Sequence, residues 1–127
     1  MKPILADASA ILAYLGFEPG GEIVGKHLPD ITLTAVNLAE VVTVLTLRGV
    51  KEDWITTRVL QVFDKILPFD RELAKLAGTL VHLTQKLGLS LGDRACLALG
   101  IALKVPVYTV EKAWKKLKVS VRIHVIR

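Results

Sequence analysis

The run ACLALGIAL, from Ala95 to Leu103, has no charge and no polar face, and it constrains the fold more than any other stretch. A helix that is apolar all round must be covered on more than one side, which calls for a layered arrangement. Its start is legible: Ser90 reads as the N-cap, and Asp93 falls three residues later, in the capping-box position. A carboxylate in the first turn gains roughly 0.3–1 kcal/mol from free N–H groups and the helix dipole at an exposed site. That structural reading would suffice if Asp93 were alone. Asp7, Glu40 and Glu111 each stand in a comparably apolar setting, and the four together call for a shared explanation.

The remaining chain alternates short apolar strands with helices. Pro3 to Ala6 is a strand pattern ending at Asp7, followed by a helix over 8–17 that Pro19-Gly20-Gly21 stops. A short helix over Glu22 to Leu28 leads to a strand at Ile31-Thr32-Leu33. Thr34 caps a helix running from Val36 to Leu47, so apolar that most of its circumference should be covered, with Glu40 its only acid. Lys51 to Lys65 predicts an amphipathic helix with Trp54, Ile55, Val59, Leu60, Val62 and Phe63 inward. Ile66 to Phe69 reads as an edge strand, because Pro68 cannot donate to a ladder. Asp70 caps a helix over 71–87 that turns Leu73, Leu76, Ala77, Leu80 and Leu83 inward. Val107 to Val110 predicts a strand running into Glu111, and a short helix then carries Trp114 and Leu117. The alternation Val119, Val121, Ile123, Val125 predicts a last strand. Strands alternating with helices imply an α/β fold: one domain over residues 1–127, with a short parallel central sheet between helical layers, α/β/α.

Composition narrows the class. A mean hydropathy of +0.48 with 52% hydrophobic residues is high, and the surplus is assigned to a buried sheet and a subunit interface. Trp54, Ile55 and the apolar helix from Val36 to Leu47 offer that interface, so a homodimer is expected. No uncharged run nears the ~20 residues that cross a bilayer, and Met1-Lys2-Pro3 opens onto a strand pattern, so neither membrane span nor signal peptide is expected. The single cysteine, Cys96, lies inside the apolar helix, which rules out a disulfide framework and fits a reducing cytoplasm.

Parallel α/β sheets bind ligands at the carboxyl ends of their strands, and Asp7 and Glu111 each stand at such an end. Asp93 opens a helix that begins on the same edge, and Glu40, in the second turn of its own helix, can lean back toward it. The four carboxylates should therefore meet. Two unit charges 4 Å apart repel by about 4 kcal/mol at an effective dielectric near 20, a cost that a divalent cation would offset. Carboxylate oxygens select hard ions, Mg²⁺ or Mn²⁺; zinc would want His and Cys at set spacings, and His27, His82, His124 and Cys96 are scattered. From Lys104 onward the chain holds seven Lys or Arg residues and one acid, Glu111, a basic face suited to a polyanion. Carboxylate-held metal beside a basic face suggests phosphodiester hydrolysis. There is no Walker-type loop, no G-x-G-x-x-G and no G-x-S-x-G, so nucleotide-binding, dehydrogenase and serine-hydrolase readings have nothing to hold.

The segments ILADASAILAYL, NLAEVV, LSLGDRACLALG and VYTVEKAW resemble, in order and across the whole chain, the successive acidic motifs of the PIN-domain ribonucleases, particularly single-domain VapC-type toxins. The resemblance implies an Mg²⁺- or Mn²⁺-dependent endoribonuclease, usually dimeric and silenced by a cognate antitoxin protein. It makes Asp7, Glu40 and Asp93 the three core acids and Glu111 the fourth, where the family more often has Asp. Thr109 would be the supporting hydroxyl, Ser9 would hydrogen-bond near the metal, and Asn37 would line the groove or have a capping or surface role. Arg94 reads as an ion-pair partner for a neighbouring acid or a contact to RNA phosphate. Lys112, Lys115, Lys116 and Lys118 read as an RNA-backbone track or as solubilising surface. The readings held against a ribonuclease are a non-catalytic binding module on the same fold and a DNA nuclease.

Overall fold

The computed structural model describes residues 2–127. Five strands form one sheet in the order β3-β2-β1-β4-β5: β1 Ile4–Ala6, β2 Ile31–Thr34, β3 Ile66–Leu67, β4 Val107–Thr109 and β5 Ile123–Val125. Every pairing is parallel. Seven α-helices flank it: α1 Ala8–Leu15, α2 Gly21–Lys26, α3 Ala35–Leu47, α4 Glu52–Ile55, α5 Arg71–Thr79, α6 Val81–Thr84 and α7 Leu91–Leu103. Alternation along β1 shows the layering. Ile4 and Ala6 join Ile11, Val24, Val41, Val59 and Phe63 beneath α1–α4, while Leu5 faces Leu73, Ala77, Leu97 and Val107 beneath α5–α7. This is the expected three-layer α/β/α arrangement. Ala95 through Gly100 are all buried, but the last turn of the uncharged run departs from the expectation, with Ala102 and Leu103 exposed.

The caps were legible. Thr34 accepts from the Asn37 N–H, Asp70 from Leu73 and Ser90 from Asp93, each side chain closing its own helix N-terminus.

Four expectations are corrected. The helix expected over 51–65 is only α4 and a π-helical turn at Thr56–Leu60. Its buried residues are Ile55, Val59 and Phe63, spaced by four, whereas Trp54, Leu60 and Val62 lie on neighbouring stripes and stay exposed. The helix expected over 71–87 breaks after Thr79 into α5, α6 and a 3₁₀ turn at Gln85–Leu87, which leaves Leu83 exposed. In α3 one side is open rather than covered: Ala39, Thr43, Thr46 and Leu47 face solvent. Finally, the C-terminal alternation pairs only over Ile123–Val125, because its partner β4 is three residues long and Val119 and Val121 pass beyond its end.

Candidate active site

The strand order reverses at β1 and β4, the two strands started from the middle of the sheet, and their carboxyl ends open a crevice between them. Asp7 follows β1 directly and caps α1. It is 2% exposed. Its Oδ1 accepts from the Ala10 N–H at 2.9 Å and the Ser9 hydroxyl at 2.7 Å, and its Oδ2 from the Thr109 hydroxyl at 2.6 Å. Burial pushes the Asp7 carboxyl up to about 6; the hydrogen bonds from Thr109, Ser9 and Ala10 pull the other way, and the nearby Asp93 charge adds to the rise. Ser9 Oγ also accepts from the Val110 N–H, which ties the first turn of α1 to the end of β4, and Thr109 Oγ1 accepts from the Glu111 N–H two residues on.

Glu40 is placed by Asn37. The buried Asn37 amide donates to Glu40 Oε1 at 2.8 Å and to the Gly92 carbonyl at 3.1 Å, while its own oxygen accepts from the Thr34 hydroxyl at 2.8 Å. Asn37 is thus fully engaged behind Glu40 instead of lining the groove. Burial raises the Glu40 pKa, against the Asn37 bond and with the Asp93 charge. Gly92 was not singled out from sequence, yet a Cβ there would collide with the Glu40 carboxylate. Only the spacing Gly92-Asp93 at the start of a packed helix hinted at it.

Asp93 is a cap that also faces the cleft. Its Oδ2 accepts from the Ser90 N–H at 2.9 Å in a complete capping box, and its side chain also lines the cleft. The cleft, about 160 Å³, is bounded by Asp7, Glu40, Asp93 and Glu111, with Leu89 and Trp114 as apolar walls. Trp114 is buried, as a core tryptophan would be. Cys96 lies buried below, where burial and the charges of Asp7, Asp93 and Glu40 push its thiol well above its ordinary value.

The four carboxylates share one cleft but are not closed on a single point, and among the described residues no three His, Cys, Asp or Glu side chains are already gathered as a metal cage. Asp7, Glu40 and Asp93 are each held by their own donors, Glu111 is exposed at the rim, and like charges keep apart. The donor set nevertheless suits a hard divalent ion. It is all oxygen, the second oxygens of Glu40 and Asp93 meet no hydrogen-bond donor among the described residues, and a cleft of about 160 Å³ has room for an ion with water.

The remaining predicted residues separate. Lys112, Lys115 and Lys116 sit exposed on a 3₁₀ turn directly after Glu111. Arg94 does not pair with an acid: its Nη1 donates to the Ala77 carbonyl at 2.9 Å and fastens α7 to α5, and its Nε is buried without a partner. The neighbouring acid, Asp93, is turned to Ser90.

Known proteins bear on this geometry. The family model described as PIN domain matches residues 4–119. Among curated protein sequences none matches the chain. Among solved structures, DNA-bound VapBC of Salmonella typhimurium is similar at a TM-score of 0.74 with 13% identity, covering 98% of each chain. FitAcB of Neisseria gonorrhoeae is similar at 0.70 with 22% identity, covering 94% of this chain and 95% of that one. VapC20 of Mycobacterium tuberculosis, described as a sarcin-ricin loop cleaving toxin, is similar at 0.66 with 16% identity over 94% of this chain and 98% of its own.

Proposed function

Because the chain belongs to the PIN-domain family, we propose that its acidic cleft is a divalent-metal-dependent endoribonuclease site, and that the protein is the toxin of a VapBC-type pair. The observation that carries this reading is the convergence of Asp7, Glu40, Asp93 and Glu111, from four separate elements, on one cleft at the carboxyl edge of the sheet. Asp7, Glu40 and Asp93 would hold the ion, with Glu111 at the rim. Bound Mg²⁺ or Mn²⁺ would supply an activated water and neutralise charge on the phosphoryl oxygens. The protein's part is positioning. Thr109 and Ser9 fix both oxygens of Asp7, and Asn37 fixes Glu40 against Gly92. Lys112, Lys115 and Lys116 attract the phosphate backbone to the cleft mouth.

An antitoxin partner is proposed from the neighbours, several of which are toxin–antitoxin complexes. A homodimer is proposed from the exposed Leu47, Trp54 and Leu60. A single domain over 1–127 and a cytoplasmic setting complete the reading; no helix among the described residues is long and apolar enough to cross a membrane. The open carboxylate arrangement favours one other reading, a non-catalytic binding module. Incubating matched RNA and DNA strands with Mn²⁺ separates the possibilities. RNA cleavage that Asp7→Asn abolishes supports the ribonuclease, cleavage of DNA alone points to a DNA nuclease, and no cleavage of either leaves the binding module.

A further inference from the structure

β4 and β5 are parallel, with Val107 opposite Ile123 and Thr109 opposite Val125, so the connection between them must return from the carboxyl edge of the sheet to the amino edge. That connection carries Lys112, Lys115, Lys116, Lys118 and Arg122, all exposed, and no acid between them. It starts at the acidic cleft, which Glu111, Ala113 and Trp114 line. It ends at a second cavity of about 700 Å³ on the opposite edge, lined among others by Lys2, His27, Asp30, Lys104 and Arg122. Asp30 is the only acid among the described residues lining that groove, against three permanent cations. Lys104 stands there in a left-handed conformation, φ 57°, at the end of α7. The strands are three residues long, so the two edges lie only about 10 Å apart.

We infer that an RNA strand held at the acidic cleft continues along the 112–122 connection, around the β5 edge, and seats its backbone phosphates in the Lys2–Lys104–Arg122 groove. This rests on the ribonuclease reading and extends it: the substrate is a single strand long enough to span both edges, gripped by its phosphates and without base readout from the groove. A run of exposed cations leading from the acidic cleft to a groove with three cations and one acid fits a polyanion that tracks the surface, and does not fit a compact anion confined to one pocket.

The test is fluorescence anisotropy of labelled oligouridylates, one about 16 nucleotides long and one about 4, with EDTA present so that no strand is cut. The wild-type protein should bind the long strand more tightly. In the triple variant Lys2→Gln, Lys104→Gln, Arg122→Gln, the slope of log affinity against log salt for the long strand should become shallower by about 2, since each lost phosphate contact on a single strand removes about 0.7. Binding of the short strand should not change. Unchanged affinity and slope for the long strand in the triple variant, while Lys115→Gln with Lys116→Gln weakens both strands, would overturn the distal groove and leave the ribonuclease standing. If the wild type binds neither strand and cuts no RNA with Mn²⁺, both fall.

Discussion

The carboxylate of Glu40 lies where a side chain on Gly92 would have to be, so the acid of α3 rests against the bare backbone of α7. Helix packing and the geometry of the acidic cleft are therefore one contact. Gly92→Ala should displace Glu40 and lower RNA cleavage about a hundredfold, the scale of an ångström-sized misplacement. It should also lower the melting temperature. Adding Glu40→Ala should restore stability by vacating the space, without restoring activity; thermal melts and cleavage rates on the single and double variants check this non-additivity.

Asp7 makes the metal-free protein sensitive to pH in a direction opposite to that of an ordinary surface acid. Its folded pKa, about 6, lies above the ordinary value of 3.8. Between those values the folded state holds a proton that the unfolded state has lost, so stability falls as pH rises through that window and levels off above it. The loss from this group is about 3 kcal/mol, and Glu40, also raised, adds to it in the same direction. Denaturant melts of metal-free protein should show that decline from pH 4 to pH 6. Asp7→Asn should flatten it, since the Thr109 hydroxyl can turn to accept from the new amide.

Thr109 donates to Asp7 and accepts from the Glu111 N–H. Thr109→Val should cost about 1–3 kcal/mol, because it leaves a buried carboxylate oxygen and a backbone donor unmatched. The Asp7 carboxyl should then titrate higher still, which NMR titration of the metal-free variant would read.

Much of the fold is legible in the sequence, and the parts that are not share a cause. Caps are local chemistry: Thr34, Asp70 and Ser90 announce their helices whatever packs around them. Burial is not local. Trp54 and Leu60 look like core by size, but the core took the stripe Ile55, Val59, Phe63. The alternation from Val119 onward looks like a long strand, but a partner three residues long limits the pairing. At the site, the four acids were found by their unlikely apolar settings. Gly92 is not legible because its role is to have no side chain, and the choice among groove, cap and surface for Asn37 stays open in the sequence because its bond across to α7 spans 55 residues. Asp93 reads as either cap or site acid; it is the cap, and the same side chain lines the cleft.

Leu47 is 82% exposed and Trp54 38%, on the contacting helices α3 and α4. Light scattering should report a dimer, and Leu47→Lys should shift it toward monomer. A wild-type monomer at high concentration would contradict the dimer without touching the active site.

The most direct test of the central claim is the melting temperature of metal-free protein at neutral pH with and without Mn²⁺, measured beside Asp7→Asn. An ion bound at a hundred times its dissociation constant stabilises the folded state by about 2.7 kcal/mol. The account predicts a clear upward shift in the wild type that shrinks or vanishes in the variant. Equal shifts in both proteins, or none in the wild type, would contradict a metal site built on Asp7.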